Sequence, residues 1–78
     1  MNTKRLWLRQ YRESQNLSRE KLAEKLNTSD QLIYQWEAGI RNPSKDNRIA
    51  LARVLGEIVL LKFVQEELEI LQNGITAA

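Results

Sequence analysis

The sequence predicts an all-α fold, a single compact unit of five helices without strands. Three observations predict it. Apolar residues recur at three- and four-residue spacings, the period of a helix with one buried face. Residues suited to starting helices (Ser18, Ser29, Ser44) and to ending them (Asn27, Gly39, Gly56) alternate along the chain. The chain has 78 residues, 42% hydrophobic and 28% charged, which gives it one small core and an ordinary globular composition.

The first helix is expected over residues 3–15, with Leu8, Tyr11 and part of Trp7 facing inward. Ser18 caps a second, short helix whose buried stripe is Leu22, Ala23 and Leu26 and which ends at Asn27. Thr28 and Ser29 then offer hydroxyls to the first N–H groups of a third helix, anchored by Ile33 and Trp36 and stopped by Gly39. Residues 39–43 form a turn, because Gly39 supplies a positive φ and Pro43 cannot continue a helix. Ser44 caps a fourth helix, which extends to Leu55 with Ile49, Leu51, Ala52 and Leu55 as its apolar positions. Gly56 stops or bends the chain before a fifth helix over residues 57–72. Asn73-Gly74 is expected to end that helix, with residues 75–78 fraying. The organisation is thus a core over residues 1–56 and a C-terminal helical segment over residues 57–78 that packs on it, within one domain.

Composition narrows the function. The chain has no histidine and no cysteine, its three glycines are scattered, and its carboxylates match no metal-loop spacing, so neither an enzyme nor a metal or cofactor site is expected. The absence of cysteine also suits a reducing cytoplasm. The apolar run at residues 58–61 is interrupted by Lys62 and the N-terminus lacks a signal-like apolar core, so no membrane span or signal peptide is expected. Few aromatics are placed to stack unpaired bases, which speaks against single-stranded RNA. Net charge is +2, unevenly distributed: residues 1–56 hold eleven Lys or Arg against six Asp or Glu, and residues 57–78 hold one against four. A basic body with an acidic tail suits a polyanion on one side and a different contact on the other.

The run over residues 17–43 reads as helix, tight turn, helix. On the second of these helices, Ser29, Asp30, Gln31, Tyr34 and Gln35 fall away from the inward pair Ile33 and Trp36. A helix of this width fits the major groove of B-DNA, where the amides of Gln31 and Gln35 can pair with adenine N6 and N7.

These residues, together with Arg12, Leu17-Ser18, Leu22-Ala23, Trp36-Glu37, Gly39, Asn42-Pro43, Leu51-Ala52 and Leu55-Gly56, resemble the lambda-repressor-like helix-turn-helix family, the Cro and Xre group of phage and bacterial transcriptional regulators. The resemblance covers most of the chain in order and spacing. It implies a compact five-helix lambda-repressor-like DNA-binding domain, with the helix-turn-helix at helices 2–3 and a C-terminal dimerisation helix. It also implies a recognition helix over residues 29–37 that docks in the major groove of double-stranded DNA. Base reading then falls to Asp30, Gln31, Tyr34 and Gln35. Asp30 either accepts from cytosine N4 or stabilises the helix N-terminus. Backbone contacts fall to Arg19, Ser29, Arg41, Asn42 and Lys45, which anchor without reading sequence. Arg12 and Glu37 match positions where the family commonly places an ion pair. Lys45 and Arg48 stand where the family tends to use apolar residues early in the fourth helix.

The fifth helix carries nine apolar residues over about 200° of its circumference, roughly twice the stripe that one small core needs. Within it Leu61, Val64, Leu68 and Leu71 keep a 3-4-3 spacing, continued by Ile75, with Val54 one heptad earlier; such a seam favours helix against helix. The expected function is a sequence-specific transcriptional regulator of repressor or Cro type, acting in the cytoplasm on a palindromic operator as a homodimer. The competing reading is a protein-interaction module of antitoxin or anti-repressor type that uses residues 57–72 to bind a different protein.

Overall fold

The computed structural model describes residues 4–77, with side chains as far as Asn73. It consists of α1 (Leu6–Ser14), α2 (Arg19–Leu26), α3 (Asp30–Ala38), α4 (Lys45–Leu55) and α5 (Ile58–Ala77), with no strand among the described residues.

Local chemistry sets most of the boundaries. Ser18, Ser29 and Ser44 each accept a backbone N–H through Oγ, from Lys21, Leu32 and Asn47 at 3.1, 3.2 and 3.2 Å, so three helices begin on serine caps. Asn27 ends α2 in the left-handed region at φ 57°, and the Thr28 N–H reaches back to the Ala23 carbonyl at 2.9 Å. Gly39 ends α3 the same way at φ 76°, with the Ile40 N–H on the Gln35 carbonyl at 3.0 Å. Glycine is required twice over here. Besides the positive φ, a Cβ on Gly39 would lie 2.8 Å from that of Lys4.

Two boundaries differ from expectation. The N-terminal helix begins at Leu6 and ends at Ser14. Its expected start at Thr3 lies outside the described residues, and Lys4 and Arg5 form a turn. Arg5 leaves the helical path because its N–H donates to the Glu37 carbonyl at 3.0 Å, a tertiary bond that sequence periodicity cannot anticipate. At the other end, the backbone of α5 continues through Asn73-Gly74 to Ala77. Glycine inside a helix costs only about 1 kcal/mol, and no proline follows to enforce a stop; Ala78 lies outside the described residues.

Leu8, Leu22, Ala23, Ile33, Trp36, Leu51, Leu55, Val59 and Phe63 form one buried cluster to which every helix contributes. Trp7, Tyr11, Leu17, Leu26, Leu32 and Val54 pack around it. Gly56 separates α4 from α5 at φ 113°, ψ 154°, a conformation open essentially to glycine alone. Val54 therefore belongs to α4 and the core, and the heptad register expected from Val54 to Leu61 is interrupted. Val59 and Phe63 dock α5 on the body. Leu61, Val64, Leu68 and Leu71, on its other side, are 52%, 48%, 51% and 62% exposed.

Candidate nucleic-acid interface

The third helix is fixed from behind. Ile33, Trp36, Glu37 and Ala38 are all buried, so α3 has one rotational setting and its remaining face turns outward. Asp30 and Gln31 are exposed on its first turn, Tyr34 follows at 46% exposure, and Gln35 is half-buried at the edge of this face. Gln35 is thus the least accessible of the four residues expected to read bases. Asp30 lies beside a surface hollow also lined by Glu20, Glu24 and Ser29, so a phosphate on the Ser29 hydroxyl has to approach from the side away from these carboxylates.

The residues expected to meet the DNA backbone divide into two groups. On the α2 side, the Arg19 guanidinium lies over the Tyr34 ring at 5.3 Å, which brings a backbone candidate and a base-reading candidate together. Stacking of this kind orders a long, exposed side chain before any ligand arrives. The Ser29 Oγ accepts from Leu32 as the helix cap, and its hydroxyl hydrogen can still donate to a phosphate oxygen. On the α4 side, Arg41, Asn42 and Lys45 are exposed in and just after the turn. Asn42 is partly engaged, since its Oδ1 accepts from Arg5 Nη2 at 2.5 Å, which orients its amide NH2 as the donor end.

Arg12 and Glu37 meet in the interior. Arg12 Nε donates to Glu37 Oε2 at 2.6 Å and Nη2 to Oε1 at 3.3 Å, while Nη1 donates to the Leu17 carbonyl at 2.8 Å. Their side chains are 9% and 5% exposed. The pair ties α1 to the end of α3 and so fixes the angle of α3.

Sequence reasoning missed the polar framework around Phe63. Arg5 and Arg48 each place a guanidinium 5.1 Å from the ring centre of Phe63. Arg5 pairs with Glu66 at 3.0 Å and Arg48 with Glu67 at 2.6 Å. The Trp7 ring meets Phe63 edge-on with centroids 4.9 Å apart, and its Nε1 donates to Glu66 at 3.3 Å. Arg48, expected at an apolar position, meets that requirement by placing its planar head over an aromatic ring. No local signal reveals these contacts, because Arg5 and Glu66 are 61 residues apart.

Two short helices joined by a tight turn, the second anchored by its apolar face and presenting polar side chains outward, define a helix-turn-helix protein. A family model described as helix-turn-helix matches residues 8–58, and the chain belongs to this lambda-repressor-like, Cro-type family. It is a DNA-binding helix-turn-helix regulator. Comparison with curated proteins and with solved structures gives no match. Among the described residues, no helix is long and apolar enough to cross a membrane.

Proposed function

We propose that this regulator binds a palindromic operator as a homodimer and represses by occupying a promoter in the cytoplasm. The carrying observation is the pair of surfaces left open by one buried core: the Asp30, Gln31 and Tyr34 face of α3 and the apolar stripe of α5. In this reading residues 1–56 hold the DNA and residues 57–78 hold the second copy. Gln31 projects from the first turn of α3, the part that enters the groove deepest, and reads a base edge; Asp30, Tyr34 and Gln35 complete the reading surface. Arg19, Ser29, Arg41, Asn42 and Lys45 grip phosphates on either side.

A second copy is the occupant that fits α5. The stripe of Leu61, Val64, Leu68 and Leu71 has heptad spacing, which is self-complementary for two antiparallel or parallel helices. Its rim is electrically quiet: Gln65 and Gln72 carry no charge, and Glu67 is already paired with Arg48. Little like-charge repulsion beside the stripe therefore opposes two identical helices, whose net acidic charge lies mostly away from it. Two-fold symmetry then sets two recognition helices about 34 Å apart, one turn of DNA.

Selection of duplexes from a random pool at fixed salt, with sedimentation of the pure protein, tests this. An inverted-repeat consensus bound by a dimer is expected, and Gln31→Ala should lose preference at one base position per half-site while keeping nonspecific binding. Unchanged preference removes the role of Gln31. A monomer that selects no consensus removes the operator reading in favour of a protein-interaction module that uses α5.

A further inference from the structure

Arg5 lies outside every surface assigned above, yet all three nitrogens of its guanidinium are committed. Nη1 donates to the Trp36 carbonyl at 2.6 Å and the Arg41 carbonyl at 3.2 Å, and Nη2 to Asn42 Oδ1 at 2.5 Å. Nε donates to both carboxylate oxygens of Glu66 at 3.0 Å. Its own backbone N–H holds the Glu37 carbonyl. The side chain is 7% exposed. One planar cation thus joins the C-terminal end of α3, the turn that carries Asn42, and the middle of α5.

We propose that Arg5 is the positioning residue that couples the recognition helix to the dimer helix, and so sets the half-site spacing the dimer accepts. This rests on the dimeric operator reading and deepens it. Along the chain, the path from α3 to α5 runs through a turn, the whole of α4 and the glycine joint at Gly56. Arg5 spans it directly. In a dimer joined through α5, any swivel of α5 relative to α3 is doubled by symmetry and appears as a change in the separation and angle of the two recognition helices. One base pair more or less between half-sites shifts them by roughly 3.4 Å and turns them by about a tenth of a helical turn. A rigid guanidinium fork resists both displacements, whereas a lysine holds only one point.

Glu66 supplies a way to release one arm of this coupling. Removing its carboxylate breaks the charged bonds between Arg5 and α5, along with the Trp7 Nε1 bond, and leaves only the contact of the Arg5 guanidinium with the Phe63 ring on that side, while the bonds of Arg5 to Trp36, Arg41 and Asn42 stay in place. Val59, Phe63 and the Arg48–Glu67 pair still hold α5 on the body.

The test compares the full-length protein, Arg5→Lys and Glu66→Ala on duplexes carrying the inverted repeat that the wild type selects from a random pool. Fluorescence anisotropy at fixed salt measures binding to the selected spacing, to spacings one base pair shorter and longer, and to a single half-site. Sedimentation and circular dichroism establish that each protein is dimeric and folded. The wild type should prefer its selected spacing by about tenfold or more, the scale of one disrupted base contact. In both variants that preference should fall to about twofold, and Glu66→Ala should bind the single half-site within about twofold of wild type, since no reading contact is touched. A spacing ratio cancels any loss of active protein, so a purely structural role would leave it unmoved. Should Arg5→Lys not fold, Glu66→Ala alone decides. A folded, dimeric Glu66→Ala protein that keeps the wild-type spacing preference overturns the coupling while leaving the dimer reading intact. A wild type that binds without any spacing preference overturns the dimeric reading, and the coupling with it.

Discussion

Breaking the Arg12–Glu37 pair from one side should remove a large share of this domain's stability. Replacing Glu37 by leucine leaves a guanidinium in a side chain only 9% exposed, with the bonds at 2.6 and 3.3 Å unmade and only the Leu17 carbonyl still accepting. Replacing Arg12 by methionine strands a carboxylate in a side chain 5% exposed and also deprives the Leu17 carbonyl of its donor. Loss of one partner of a buried pair costs about 3 to 5 kcal/mol. A 78-residue domain has about 4 to 12 kcal/mol in total at ~0.05–0.15 kcal/mol per residue. Each single substitution should therefore lower the melting temperature by more than about 12 °C at ~4–8 °C per kcal/mol. The double substitution Arg12→Met with Glu37→Leu strands neither charge, and well-packed apolar replacement of a buried pair is often close to neutral. Urea titration followed by circular dichroism, at fixed protein concentration, should show the double variant more stable than either single, with a coupling of at least about 2 kcal/mol. Single losses below about 1 kcal/mol, or losses that simply add in the double variant, would refute the premise that the desolvated charges are what make this pair costly to break.

Two further outcomes concern binding. Arg19→Ala should weaken binding by a similar factor on every duplex sequence and reduce the slope of log affinity against log salt by about 1.8 for two protomers, at ~0.9 per phosphate contact; anisotropy titrations at several salt concentrations measure this, and an altered consensus would instead place Arg19 among the base readers. Leu68→Glu introduces a charge into the middle of the α5 stripe, at a position 51% exposed, and should yield a folded monomer by sedimentation. Its affinity for the inverted repeat should fall by about 100-fold or more as the second site's effective concentration is lost, while binding to a single half-site stays within about twofold of wild type.

Much of the fold was legible because its determinants are local. Ser18, Ser29 and Ser44 cap the helices expected of them, Asn27 and Gly39 stop two of them at positive φ, and Ile33 with Trp36 fixes which side of α3 is buried. The pairing of Arg12 with Glu37 was legible only through resemblance, since nothing in the spacing of an arginine and a glutamate 25 residues apart indicates contact. Gly74 does not end α5, because glycine permits a helix end without requiring one, and the helix continues through it.

The sequence by itself determined that this protein is a bundle of short capped helices with a polar outer face on the third, because caps, stops and apolar periods act over at most a few residues. The tertiary structure alone decided how those helices are held in relation to one another: Arg5 leaves its helix to join α3, the following turn and α5, and Phe63 packs against two arginines whose partners come from α5. A buried cation can be stabilised only where acceptors converge from several elements at once, and that convergence exists only after the chain has folded.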